Sequence, residues 1–165
     1  MQAKKENYDV SLFSRIFKHF EHAPPDSNPI QHLSVQYRMH SEIMTWPNRR
    51  FYGGKLRQGD QNRKFGLTNY KVLCLEDSSE DVAEGSSTCN YEEARFVASL
   101  TQYIRDYLAG KNEKKSIGII TFYNKQKTEI MKALRNLNVS YGDDNLISVR
   151  TVDGFQGSEC DIIVS

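Results

Sequence analysis

Val149-Arg150-Thr151-Val152-Asp153-Gly154-Phe155-Gln156-Gly157-Ser158-Glu159-Cys160-Asp161-Ile162-Ile163-Val164-Ser165 reads as strand, polar loop, strand. Two short apolar runs flank a turn that carries Asp153, Gly154, Gln156, Gly157 and Glu159. A polar, glycine-containing loop at the end of a strand in an α/β sheet is a normal place to bind a ligand. Its glycines let the backbone approach closely, and its side chains supply acceptors and donors. By spacing alone, an ordinary strand-turn-strand connection explains the stretch better than a site does.

Working outward, Ile117 to Phe122 is a near-continuous apolar run, which suits a strand buried on both faces of a parallel sheet. Thr121-Phe122-Tyr123-Asn124 leads from it into a helix with Ile130, Leu134 and Leu137 inward and Asn124 as the cap. Upstream, Asn90 and Glu93 have the spacing of a capping box. They open a helix that runs to about Ala109, stops at Gly110, and turns Ala94, Val97, Ala98, Thr101, Ile104 and Leu108 inward. Leu146 to Val152 and Cys160 to Val164 are the last two strands. Lys71 to Leu75 is predicted as a further strand, and Glu76 to Thr88 as a surface loop. Strands alternating with helices imply an α/β domain with a mainly parallel sheet flanked by helices.

The first part of the chain is less regular. Ser11 to Phe20 is a helix whose stripe of Leu12, Phe13, Ile16, Phe17 and Phe20 reads as core. Pro24, Pro25 and Pro29 end it, so residues 1–29 are predicted as a helix and linker and 30–165 as one domain. Ile30 to Val35 is a short strand that delivers Gln36-Tyr37-Arg38-Met39-His40. Tyr37 offers a flat ring on which a purine can stack, and Arg38 a rigid fork that can clamp a phosphate. A buried tyrosine and a surface ion pair explain the same residues. Ser41 caps a helix that includes Trp46, read as core, and Pro47; Phe51-Tyr52-Gly53-Gly54-Lys55-Leu56 closes it with a tight turn. Gln58 to Asn69 is polar and loop-like.

Composition excludes several classes. The 165 residues suit a single domain with its own core, and the net charge of +1 carries no overall polyanion signal. Arg49, Arg50, Lys55, Arg57, Arg63, Lys64 and Lys71 nevertheless cluster against Asp60, while Glu76, Asp77, Glu80, Asp81, Glu84, Glu92 and Glu93 follow. Both runs read first as solvated surface; the functional alternative makes the basic run a backbone-phosphate contact. Cys74, Cys89 and Cys160 are scattered, which suggests reduced thiols inside a cell, with Cys74 and Cys160 in the core. His19, His22, His32 and His40 form no metal-ligand pattern with them, and no metal site is expected. The start has no secretory core, and no apolar run is long enough to span a membrane.

Gln36–His40 and Thr151–Glu159 together resemble motifs of the superfamily 1 DNA/RNA helicases, in the branch of senataxin and the nonsense-mediated-decay helicase. Ile117-Gly118-Ile119-Ile120-Thr121 between them resembles the strand that opens another family motif. Gln31-His32-Leu33-Ser34-Val35 and Tyr123-Asn124-Lys125-Gln126-Lys127 bring the senataxin branch nearest. Ser158 stands where relatives are often basic, and Ser41 where they commonly have Pro. The resemblance implies a RecA-like, P-loop NTPase-type lobe, the second of two in a motor, with a nuclear setting favoured over a cytoplasmic one. It implies ATP with Mg²⁺ as cofactor: Tyr37 on the base, Arg38 at the terminal phosphate, and Gln156, Gly157 and Glu159 along the nucleotide cleft. Arg38, Gln156 and Glu159 would be the catalytic group. Thr121, Asn124, Gln126, Lys127, Thr151 and Asp153 would face single-stranded RNA or DNA. The sequence contains no Gly-Xaa₄-Gly-Lys-Ser/Thr phosphate loop, which the family keeps, with its Mg²⁺ ligands, in the first lobe. The chain is therefore expected to be a piece of an ATP-dependent helicase, partnered by that first lobe and inactive by itself. A non-catalytic nucleic-acid-binding module and a protein-interaction scaffold on the same fold are the alternatives.

Overall fold

The computed structural model describes residues 10–60, 66–82, 87–142 and 146–165. Arg63, Lys64 and Glu84 of the two charge runs lie outside the described residues. The chain folds as two compact units, Met1–Lys71 and Val72–Ser165.

The second unit holds the sheet. Strands β5 (Ile117–Thr121), β6 (Ile147–Thr151) and β7 (Ile162–Val164) run parallel in the order β6-β5-β7. Helix α3 (Tyr91–Gly110) precedes β5, and α4 (Asn124–Asn136) crosses over from β5 to β6. This is the parallel, helix-flanked arrangement of a RecA-like domain. Ile117, Ile119, Ile147 and Val149 are buried in the sheet, and Ala94, Ala98, Thr101, Ile104, Leu108, Ile130, Ala133 and Leu134 on the two helices. The Asn90 side chain accepts from the Glu93 N–H at 2.9 Å, so the expected cap opens α3, but the box is not reciprocal: the Asn90 N–H donates to Gln126 Oε1 in place of Glu93. At the other end of β5, Asp161 Oδ2 accepts from both the N–H and the hydroxyl of Ser116, at 2.9 and 2.8 Å. That latch sets β7 beside β5.

Gly118 is buried near the start of β5, and the space beside it is already taken. A Cβ there would lie 3.0 Å from Cys160 Sγ and from Ile163 Cδ1, and 3.1 Å from Phe155 Cε2. The glycine thus lets the loop between β6 and β7 pack down onto the central strand. Between Val72 and α3, the residues expected as a strand, Lys71–Leu75, have no ladder. A two-residue antiparallel pair, β3 (Asp81–Val82) with β4 (Thr88–Cys89), forms instead within the stretch read as loop. Its closing residues 83–86 lie outside the described ones. Cys89 is the buried cysteine, 2% exposed, whereas Cys74 is exposed and Cys160 half-buried.

The first unit is built on small pieces. Helix α1 (Leu12–Phe20) starts at Ser11, whose side chain accepts from the Ser14 N–H at 3.1 Å. Its apolar stripe does not enter a core: Leu12, Phe13 and Ile16 are 70%, 75% and 45% exposed. Phe17 instead meets His32 edge-on with centroids 6.0 Å apart. Strand β1 is only Val35–Gln36 and pairs in parallel with β2 (Arg57–Gln58). Helix α2 (Ser41–Phe51) joins them, with His40 as its cap in place of Ser41; His40 Nδ1 accepts from the Glu42 N–H at 3.3 Å. Pro47 lies in its interior, where it has no N–H for the Ile43 carbonyl. Asn48 folds the chain back, donating to the Leu56 carbonyl at 3.0 Å and accepting from its N–H at 2.9 Å.

Replacing Gly118 with Ala should overpack this junction and cost about 1–3 kcal/mol of stability. A fall in the urea midpoint with unchanged slope would report it; a midpoint equal to wild type would show that the Phe155–Cys160 packing is loose.

Candidate nucleotide and nucleic-acid sites

Gln36 builds the turn that carries the first group of predicted residues. Its Oε1 accepts from the N–H groups of Arg38 and Met39 at 2.9 and 2.7 Å. Its Nε2 donates to the Met39 carbonyl at 2.7 Å. One side-chain amide thus replaces the ladder that a longer strand would supply. The turn holds Tyr37 and Arg38 at the surface, with Tyr37 64% exposed. Beneath it, the Gly59 N–H donates to the Gln36 carbonyl at 2.8 Å, extending the β1–β2 pairing by one bond.

The second group sits at the carboxyl edge of the sheet, where parallel α/β sheets bind ligands. Thr121 and Thr151 end β5 and β6 as register partners. From Thr121 the chain enters α4 within three residues. From Thr151 it enters a single helical turn, α5 (Val152–Phe155), which Thr151 caps by accepting from the Gly154 N–H at 3.2 Å. Ile120, Val152, Asp153, Phe155 and Gln156 line an open cavity of about 300 Å³ at this edge. Past α5, Gly157 takes φ +81, a left-handed conformation that favours glycine, and Glu159 follows as an exposed residue.

The chain matches the family model described as an AAA domain over residues 8–165. It belongs to the AAA domain family. Within that family it is a senataxin-like superfamily 1 helicase domain. It is 35% identical to Helicase sen1 of Schizosaccharomyces pombe over 98% of this chain and 10% of that protein. It is 30% identical to the probable helicase senataxin of Homo sapiens over 99% of this chain and 6% of that protein. DNA polymerase alpha-associated DNA helicase A of Saccharomyces cerevisiae is 28% identical over 96% of this chain and 25% of its own length. The chain therefore spans a tenth or less of the first two relatives.

Within the AAA domain, the structure sorts the predicted residues. Tyr37 and Arg38 share the Gln36 turn. Thr121 and Thr151 end neighbouring strands at the carboxyl edge, Asn124 and Lys127 lie in the first turn of α4 that follows Thr121, and Asp153 and Gln156 line one cavity, although the sequence assigned them to different ligands. Gln126 is a correction. It is 5% exposed, and its amide is spent inside the fold. Oε1 accepts from the Asn90 N–H at 2.8 Å, and Nε2 donates to the Asn90 carbonyl at 3.2 Å and to Glu93 Oε2 at 3.1 Å. It ties the first turn of α4 to the cap of α3 and is not a nucleic-acid contact. Asn124 is the first helical residue and Tyr123 the cap, one place earlier than expected. Lys125 is held over the Tyr91 ring at 6.0 Å and 3.7 Å from Asp81. Desolvation pulls its ammonium down, but the Cys89 thiol, Tyr91 and Asp81 outweigh this and hold it above its ordinary value. Trp46, read as core, is 67% exposed and meets Phe51 edge-on, with centroids 5.6 Å apart. Gln36 was not among the predicted site residues. Its signal was the motif itself, a glutamine at a strand end directly before the two exposed side chains.

A Gln36→Glu change keeps an acceptor for Arg38 and Met39 but loses the donor to the Met39 carbonyl. Amide exchange at Arg38 and Met39 should quicken, and Gln36→Ala should quicken it further, by about tenfold or more for each lost bond of about 1.4 kcal/mol. Unchanged protection in Gln36→Ala would show that the turn is held by something else.

Proposed function

We propose that this AAA domain is the second motor lobe of an ATP-dependent helicase that moves on single-stranded RNA or DNA. The observation that carries the reading is the Gln36-clamped turn, which offers an aromatic face at Tyr37 and a five-donor fork at Arg38 side by side. This donor set fits a nucleoside triphosphate: a ring for the base and a guanidinium for a phosphate. Tyr37 stacks on the base, and Arg38 stabilises charge on the terminal phosphate. Gln156, Gly157 and Glu159 serve the nucleotide from the loop after α5. Mg²⁺, when bound with ATP, neutralises charge developing on the transferred phosphoryl oxygens. The ion would be held by the first lobe.

Thr121, Asn124, Lys127, Thr151 and Asp153 are proposed to follow the nucleic-acid backbone. Hydroxyls and amides at a helix start are good phosphate donors, and Lys127 adds charge. The register of Thr121 with Thr151 supports this, because it sets both hydroxyls at one level of the sheet edge. Asp153 shares its cavity with Gln156, which gives the two functions a physical link through a single turn. No helix among the described residues is long and apolar enough to cross a membrane. The thiols of Cys74, Cys89 and Cys160 support an intracellular setting, with the nucleus favoured.

The test is ATP hydrolysis by the full-length protein, with and without single-stranded RNA or DNA. Nucleic acid should stimulate turnover, and Arg38→Ala should lower kcat by roughly 10³-fold or more with the fold intact. The isolated 165-residue chain should show no turnover. If the full protein is inactive with both nucleic acids yet binds them with a steep salt dependence, the domain is a binding module and the motor reading fails.

A further inference from the structure

We propose that Gly59 is a positioning residue for the nucleotide base: the space left by its missing side chain seats the Tyr37 ring. This rests on the reading of Tyr37 as the base platform. Gly59 directly follows β2, and its N–H is bonded to the carbonyl of Gln36 at 2.8 Å. Its backbone is therefore fixed against the residue before Tyr37. A Cβ built on Gly59 would lie 2.8 Å from Tyr37 Cζ, 2.5 Å from Cδ1, and closer still to Cε1. Carbon atoms that are not bonded pack at about 3.5–4.0 Å. The ring occupies the volume that any side chain at position 59 would need.

Backbone conformation does not explain this glycine. Gly53 and Gly54 have φ of +57 and +75, and a Cβ on either would meet nothing within 4 Å. Those two are glycines for the turn. Gly59 is not among the positive-φ residues, so its backbone suits any L residue. The clash is with an exposed ring, and an exposed ring can swing into solvent. An alanine at 59 therefore leaves the fold in place and lifts Tyr37 off its seat. The seated ring rests against the Gly59 backbone and is still 64% exposed, which leaves it open to a ligand. Seating it in advance removes the entropy of ordering it at the moment of binding.

The experiment measures binding of a fluorescent ATP analogue to the full-length protein, with inorganic triphosphate as a competitor that has no base. Wild type, Gly59→Ala, Tyr37→Ala and the double variant are compared, with thermal melting of each. Gly59→Ala should weaken analogue binding about tenfold, the scale of one base–aromatic stack, and leave triphosphate affinity within about twofold. The double variant should be no weaker than Tyr37→Ala, since the glycine acts through the ring. If Gly59→Ala binds like wild type while Tyr37→Ala is weak, the seat is overturned and the platform reading survives. If Tyr37→Ala itself binds like wild type, the platform reading falls and the seat with it. Should Gly59→Ala melt early, Tyr37→Ala in the same chain must restore the melting temperature; failure to do so also overturns the seat.

Discussion

The parallel pairing of β5 with β6 is the constraint on which the second unit depends. Five register pairs, from Ile117 with Ile147 to Thr121 with Thr151, fix where both strands end. A slip of one residue would turn Ile147 and Val149 away from the core, so burial enforces the register. Both exits from the sheet then begin at one height. Thr121 leads to the start of α4, and Thr151 to the short turn that holds Asp153 and Gln156. Gly118 completes the arrangement by letting Phe155 and Cys160 descend against the central strand. The edge that would meet ligands is thus positioned by packing well below it.

The first unit reaches a defined surface by other means. Two-residue strands cannot hold a loop by their ladder, so side-chain amides take over. Gln36 closes one turn and Asn48 the next, each serving as both donor and acceptor to backbone groups. Such bonds fix geometry at low cost in buried area, which suits a region whose described core is Met44. They also concentrate responsibility: one amide sets the directions of both Tyr37 and Arg38.

The sequence read well wherever a pattern was local. The Asn90 cap, the inward face of α3 and the apolar strand at Ile117 follow from spacing within a few residues, and each is present, although Gln126 takes the place of Glu93 at the Asn90 N–H. Misreadings arose where the partner was distant or missing. The α1 stripe has helical periodicity, but periodicity reports a face and not what covers it. Trp46 was placed inside by residue type, yet its ring lies on the surface against Phe51. Gln126 was assigned to the nucleic acid with its neighbours because Asn90, which consumes its amide, lies 36 positions earlier. Cys89 gave no apolar context to mark its burial, whereas the runs around Cys74 did so falsely. Of the candidate site, residue types and order were legible. The clamp by Gln36 and the shared cavity of Asp153 with Gln156 needed three dimensions.

The chain has one tryptophan, and it sits on the first unit's exposed helix α2, five residues before the ring it touches. The long helices α3 and α4 both belong to the second unit. Intrinsic indole emission therefore watches the first unit, while helical ellipticity is weighted towards the second, without any label. Followed side by side during denaturation, they separate the fate of the Gln36 turn from that of the sheet. Coinciding curves mean the halves unfold as one cooperative body; displaced curves resolve an intermediate in which one half outlives the other.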